Sequence, residues 1–316
     1  MHVGVIGVGV MGRNHARIYS ELKSVDSLSI FDLNKAGAQE VAINNGAHAS
    51  NSLEDLLSEV DAVSLCVPTP YHFDLAQKVI EQNIPILIEK PICHTVADGK
   101  KLVSMIPRNL ICGVGHIERF NPVVNEIIRI LDKPLYIEVK RHNPASARIS
   151  DTTVVEDLMI HDIDIVFNLM FKSQWSCHCA GNADLCTALF QFDNIPVYVS
   201  ASRKSSKKIR MIYVEEEEFT IEGDLMAQEI FVHRKPKRYG VENSRYMQDN
   251  IIEKVLVNKV EPLKVELSTF IKCVQEKRPF PITPLEALKN LEICDEIKAQ
   301  IQIKNPQQLQ KIPIAA

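Results

Sequence analysis

The chain has 316 residues, 46% of them apolar and 24% charged, with a formal net charge of −4. That length exceeds the size at which a single core usually stops growing, so two domains are expected, and the mild negative balance offers no field to a polyanion, which sets nucleic acid aside as a partner. No apolar run approaches the roughly 20 residues that span a bilayer, and "MHVGVIGVG" carries neither a basic leader nor a cleavage site, so no membrane partner and a cytoplasmic location are expected.

Residues 2–6, "HVGVI", form a β-branched run that meets Gly7-Val8-Gly9-Val10-Met11-Gly12 and then a helical stretch to about Leu22. Strand, glycine turn and helix in that order make a dinucleotide site. Gly7 permits the tight turn, Gly9 lets a pyrophosphate approach the backbone, and Gly12 lets helix and strand pack closely. The N–H groups that open the helix, at Val10 and Met11, then face the phosphates. The second strand, "SLSIFD", ends on Asp32, twenty residues beyond Gly12. There a carboxylate accepts hydrogen bonds from the adenosine ribose hydroxyls, and it repels a 2′-phosphate, which favours NAD over NADP. Asp32 as a simple cap of the loop is the competing reading.

Further strand–helix pairs follow: "DAVSLCV" with "PYHFDLAQKVIEQ", "IPILIE" with "TVADGKKLVSMI", and "LICGVGH". This rhythm specifies a parallel, doubly wound Rossmann sheet over residues 1–118, with the cofactor beyond the strand C-termini. Two strand ends there are chemically loaded. "VPTPYH" brings Thr69 and His72 to the crevice edge, and "EKP" brings Glu89 and Lys90.

From Arg119 the rhythm stops, and residues 119–316 read as a second α/β domain for substrate binding and oligomerisation. Strand-like runs at "LYIEVKRH", "DLCTALFQFD", "IPVYVSASR", "KIRMIYVE", "EFTIEGD" and "AQEIFVHR" suggest a largely antiparallel open sheet with helices on one face. Apolar alternation on its other face suggests a second subunit, so a homodimer or homotetramer is expected. The five basic side chains within 203–210 are read as a solvated patch. Two amphipathic helices end the pattern, and the last is expected to pack back on the first domain. The eight cysteines are scattered and read as reduced, mostly buried thiols. Cys177-His178-Cys179 lacks a second pair at zinc spacing, so it is read as a strand with alternating faces and no metal is expected.

"VVEDLMIHDIDIVFNLM", 154–170, reads as one helix, apolar over most of its surface yet carrying Asp157, His161 and Asp164. At about 100° per residue these three share one stripe. An unpaired charge in a dry interior costs several kcal/mol, so the stripe requires a partner, a ligand or a reaction. Oxidising an alcohol with a nicotinamide cofactor needs a base for the hydroxyl proton and positive charge for the developing carbonyl oxygen. His161 suits the first role, with Asp157 to orient it; Lys90 suits the second. The domain interface is where they would converge. A divalent-metal site and a purely structural hydrogen-bond network are the competing readings of the stripe.

Gly7 to Gly12, "VPTPYH", "EKP" and Asp157-x-x-x-His161 together, in this order, resemble the Gfo/Idh/MocA oxidoreductase family over nearly the whole chain. The resemblance implies a Rossmann domain followed by an α/β domain with an open oligomerising sheet. It also implies catalytic roles for Lys90, Asp157 and His161, and a cis bond between Lys90 and Pro91. "VGHIERFNPVV" (114–124), "RHNPASARISD" (141–151) and "VVEDLMIHDIDIV" (154–166) are similar to the group that oxidises C3 of UDP-N-acetylglucosamine to a 3-keto nucleotide sugar. That narrower resemblance implies sugar contacts from Arg119 and Asn121, and suits Arg141 and Arg148 to the UDP diphosphate. Met159 and "DTTVV" (151–155) depart from the group's pattern, where glycine and "DVGVV" are frequent. Two other functions remain open: NAD(P)-dependent oxidation of a free polyol such as an inositol, and a non-catalytic NAD-binding regulator, which would need no general base.

Overall fold

The computed structural model describes residues 1–144, 152–236, 239–242 and 245–303. Strands and helices alternate from the start. β1 (His2–Ile6) leads to α1 (Val10–Glu21), β2 (Ser27–Phe31) to α2 (Lys35–Asn45), β3 (His48–Ala49) to α3 (Leu53–Glu59), β4 (Ala62–Leu65) to α4 (His72–Glu81) and β5 (Ile86–Glu89) to α5 (Val96–Met105); β6 (Cys112–Gly115) ends the series. Asn34, Ser52 and Thr95 cap the helices that follow them through their side-chain oxygens. The strands pair in parallel, in the order β3-β2-β1-β4-β5-β6. The order reverses between β1 and β4, which opens a crevice beyond their C-terminal ends.

α6 (Pro122–Ile130) and β7 (Tyr136–His142) come next, then the polar-striped helix, whose α-helical part is α7 (Ile160–Ile165). Turns of π-helix flank it at Val155–Met159 and Val166–Met170. The single regular helix expected over 154–170 is therefore widened at both ends, and an i→i+5 turn rotates Asp157 relative to His161 from its α-helical place. The strands β8 (Trp175–Gly181), β9 (Leu185–Phe192), β10 (Ile195–Ser202), β11 (Ile209–Glu215), β12 (Phe219–Asp224), β13 (Glu229–Arg234), β14 (Tyr239–Glu242), β15 (Arg245–Gln248) and β16 (Ile251–Val255) follow, and α8 (Pro262–Glu276) and α9 (Pro284–Ile303) complete the described chain.

The second sheet has eight strands in the order β16-β13-β12-β11-β7-β10-β9-β8, with β14 and β15 paired separately. Among the described residues only β7 with β10 runs parallel within it, which is the largely antiparallel sheet that the alternating pattern predicts. Cys177 and Cys179 point inward on β8 while His178 between them is exposed, as the strand reading requires.

The chain divides into two compact units. The first holds residues 1–121 and 260–292, and its core joins Val3, Val5, Ile30, Leu65, Ile86 and Val114 of the sheet to Leu267, Phe270 and Ile271 of α8. The second runs from Pro122 to Lys259 and from Ile293 on. Its core is built on Phe167, which meets Trp175, Phe190 and Phe192 edge-on at ring separations of 5.0–5.1 Å.

Inside the second unit Arg141 and Asp162 are both fully buried, and the Asp162 carboxylate accepts from Nε at 2.9 Å and Nη2 at 2.7 Å. A buried pair of this kind adds little net stability, but stranding one member is costly. Asp162→Ala is therefore expected to destabilise the fold by about 3–5 kcal/mol in urea denaturation. A change below about 1 kcal/mol would mean that water or a new partner takes up the arginine.

Candidate active site

At the head of the first unit, Gly7 adopts φ +91°, where a side chain would strain the backbone and strike Val67 N at 2.8 Å. A methyl on Gly12 would lie 1.8 Å from the Gly7 carbonyl oxygen. Gly9 differs: it is exposed, with nothing within 4 Å of where a Cβ would stand. α1 begins at Val10 without a side-chain cap, which leaves its first N–H groups without a helical acceptor. Val10 is exposed, and Met11 is half-buried against the core. Open space over Gly9 at an uncapped helix start fits a pyrophosphate, so the turn suits a dinucleotide.

Asp32, half-buried at the end of β2, accepts from Val8 N at 2.7 Å and from Asn34 N at 2.8 Å. One carboxylate thus holds the glycine turn and caps its own loop. The capping role and the ribose role are compatible, because each carboxylate oxygen has two lone pairs. Asp32→Ala is expected to weaken NAD several-fold or more, through lost ribose hydrogen bonds and a loosened turn. Unaltered affinity in a fluorescence titration would remove it from the ribose site.

The end of β4 and the end of β5 lie side by side. Thr69 opens a short 3-10 turn, Thr69–Tyr71, behind Pro68 and is half-buried. His72 does not present a free ring to the crevice. It is buried, Nδ1 sits 2.8 Å from Pro91 O, and Nε2 sits 2.9 Å from Val67 O. Burial lowers its pKa below that of an ordinary imidazole. The ring ties two loop ends together, so its expected place among the cofactor ligands gives way to a bracing role. Glu89 is also buried, and Nε2 of His15 lies 3.0 Å from its Oε1. Burial opposes its ionisation, yet the His15 hydrogen bond and the nearby Lys90 and His72 carry its carboxyl below the usual range. A charge so engaged underlies the crevice; it does not line it. The next residue, Lys90, is half-buried and joined to Pro91 by a cis peptide bond.

Past β6, Arg119 reaches Glu286 at 3.1 Å, and Asn121 donates to Glu118 Oε2 at 3.1 Å. Glu286 also accepts from Thr283 N and Oγ1, so it closes the capping box of α9 while it steers the arginine. Both expected sugar contacts are thereby held in place within the first unit.

The second unit carries Asp157 and His161, both only partly buried. Asp157 Oδ2 lies 3.6 Å from Nη2 of Arg203. Asp164 accepts from Asn168 Nδ2 at 3.0 Å and belongs to the helix's own packing. Arg141 does not reach toward a diphosphate: its guanidinium is sealed on Asp162, and that expectation is corrected because the side chain is 2% exposed. Arg148 lies outside the described residues. Among the described residues no three His, Cys, Asp or Glu side chains are grouped so as to hold a metal ion, and no helix is long and apolar enough to cross a membrane.

Arg203 and His15 are buried polar residues outside the expected site set. Val197, Val199 and Ala201 point inward on β10, and the same period of two carries Arg203 inward, where it is 3% exposed. His15 shares the buried face of α1 with Gly12, Ala16 and Tyr19.

Residues 1–120 match the model of the Gfo/Idh/MocA oxidoreductase family, NAD-binding Rossmann fold. The chain is 30% identical over 293 residues to UDP-N-acetylglucosamine 3-dehydrogenase of Acidithiobacillus ferrooxidans, covering 88% of this chain and 90% of that one. A solved structure of UDP-N-acetylglucosamine 3-dehydrogenase from that organism superposes with a TM-score of 0.84 at 27% identity, over 96% of this chain and 98% of the other. Inositol 2-dehydrogenase of Mycolicibacterium smegmatis is 29% identical over 193 residues, 56% of this chain and 55% of that enzyme. With the glycine turn, the Asp32 carboxylate and the two sheets already described, the chain belongs to the Gfo/Idh/MocA family of NAD-binding oxidoreductases.

Proposed function

We propose that the protein oxidises the C3 hydroxyl of a UDP-N-acetylhexosamine to a 3-keto nucleotide sugar. The observation that carries this reading is the 30% identity with a UDP-N-acetylglucosamine 3-dehydrogenase, sustained over 88% of the chain. When bound, NAD supplies the hydride acceptor. The chain's own residues do the rest. His161 Nε2 or Nδ1 takes the hydroxyl proton as the C–H bond breaks, and Asp157 steadies the ring and its cation. Lys90 donates to the substrate oxygen and offsets charge as it becomes a carbonyl. Arg119 and Asn121 are assigned to the sugar, and Arg148 to the diphosphate, where a guanidinium binds bidentately.

The open face of the second sheet supports a homodimer or homotetramer. On it, Leu189 lies opposite Tyr198, and farther along the same row Tyr213 and Phe231 alternate with Glu138 and Glu222. A second substrate reading, a free inositol, is favoured by the 29% identity with an inositol 2-dehydrogenase. Purified protein incubated with NAD and UDP-N-acetylglucosamine, UDP-N-acetylgalactosamine, myo-inositol or scyllo-inositol, followed by absorbance of the reduced cofactor, separates the two. Turnover of a UDP sugar is expected. Turnover of inositols alone would contradict the nucleotide-sugar assignment, and silence with all four would contradict both.

A further inference from the structure

We infer that Arg203 is a positioning residue that acts on the reaction through Asp157; the inference rests on the function proposed above. Arg203 follows β10 with its side chain 2% exposed, and a guanidinium cannot shed its charge to escape burial. Its fork spans three anchors. Nη2 lies 3.6 Å from Asp157 Oδ2 and 3.4 Å from Thr152 Oγ1, and Nη1 lies 3.9 Å from Asp184 Oδ1.

The two carboxylates are unequal. The Asp184 side chain is 40% exposed and also meets Lys204 at 2.9 Å, whereas that of Asp157 is 12% exposed. Water screens the first interaction far more than the second, so of these two carboxylates Asp157 is the more strongly held by the arginine's charge. The base of the fork is fixed as well: Arg203 N donates to Asp184 O at 2.8 Å, and Val154 N donates to Ala183 O at 2.7 Å. Strand end, hairpin turn and helix start are therefore pinned together around one guanidinium.

Two buried arginines thus do different work in the second unit. Arg141 closes on Asp162 with hydrogen bonds of 2.7–3.1 Å, a packed structural pair. Arg203 holds Asp157 by charge at a longer separation, within the π turn at the start of the helix. Asp157 precedes His161 by four residues, and its orientation governs how well it can steady the imidazole.

The test is a double-mutant cycle on kcat and KM with NAD and UDP-N-acetylglucosamine, or with myo-inositol if that is the substrate turned over. Arg203→Met is expected to lower kcat roughly tenfold to hundredfold, with KM for NAD unchanged. Arg203→Lys is expected to recover part of the loss. In an Asp157→Asn background the Arg203 replacement is expected to cost under about threefold, because the partner it acts through is already gone. Wild-type kcat in folded Arg203→Met, or losses that multiply in the double variant, overturns the inference and leaves the proposed function standing. If Arg203→Met does not fold, the polar but uncharged Arg203→Gln replaces it in the cycle: a loss that vanishes in the Asp157→Asn background supports the inference, and wild-type kcat or multiplying losses overturn it. Wild-type kcat in Asp157→Asn, or no turnover of either substrate, takes down the proposed function and this inference together.

Discussion

Replacing His161 or Lys90 by alanine is expected to lower kcat by about 10²- to 10⁴-fold while NAD affinity stays nearly unchanged. A positioned acid or base contributes roughly that factor, and neither side chain belongs to the glycine turn that meets the dinucleotide. Lys90 follows a strand whose four residues are all buried, and the His15–Glu89 contact beneath it anchors the strand end. Removing the ammonium should therefore delete charge and a donor without loosening the sheet. Stopped-flow traces of hydride transfer provide the check. Wild-type rates in both variants would remove the two residues from the chemistry, and a drop in one alone would reassign the other.

The second large effect separates fold from cofactor. In Gly12→Ala the new methyl would meet the Gly7 carbonyl oxygen at 1.8 Å, and backbone lies on both sides of that contact. No side chain can rotate away, so a loss of about 3 kcal/mol or more and no measurable NAD binding are expected. Gly9→Ala puts its methyl where nothing stands within 4 Å. Stability should hold there, while NAD affinity falls by about tenfold or more, because the methyl enters the space left for the pyrophosphate. Thermal melts paired with NAD titrations distinguish the two variants. Gly9→Ala binding NAD as the wild type does would move the phosphates elsewhere; Gly12→Ala melting with the wild type would show that α1 can shift off β1.

Much of the fold was legible because it rests on local patterns. The β-branched runs, the spacing of Gly7, Gly9 and Gly12, and the capping residues Asn34, Ser52 and Thr95 each act over a few residues. The strand parity that put Cys177 and Cys179 inward is equally local. What escaped depends on partners far along the chain. Arg141 has the chemistry of a diphosphate ligand, and only the fold brings Asp162, 21 residues on, into contact with it. His72 and Glu89 stand beside strand ends where cofactor ligands gather, but Pro91 O, Val67 O and His15 take up their polar atoms. The π turns left no trace in an apolar pattern that runs almost all round the helix. Arg203 sat within a basic cluster that looked solvated, although the parity of β10 already directed it inward.

The most direct test of the central claim uses UDP-N-acetylglucosamine deuterated at C3, incubated with the enzyme and unlabelled NAD. The account predicts that the isolated reduced cofactor carries the deuterium and that turnover slows relative to the protiated sugar. Reduced cofactor without the label, or turnover at the same rate with both sugars and no label transferred, would contradict it.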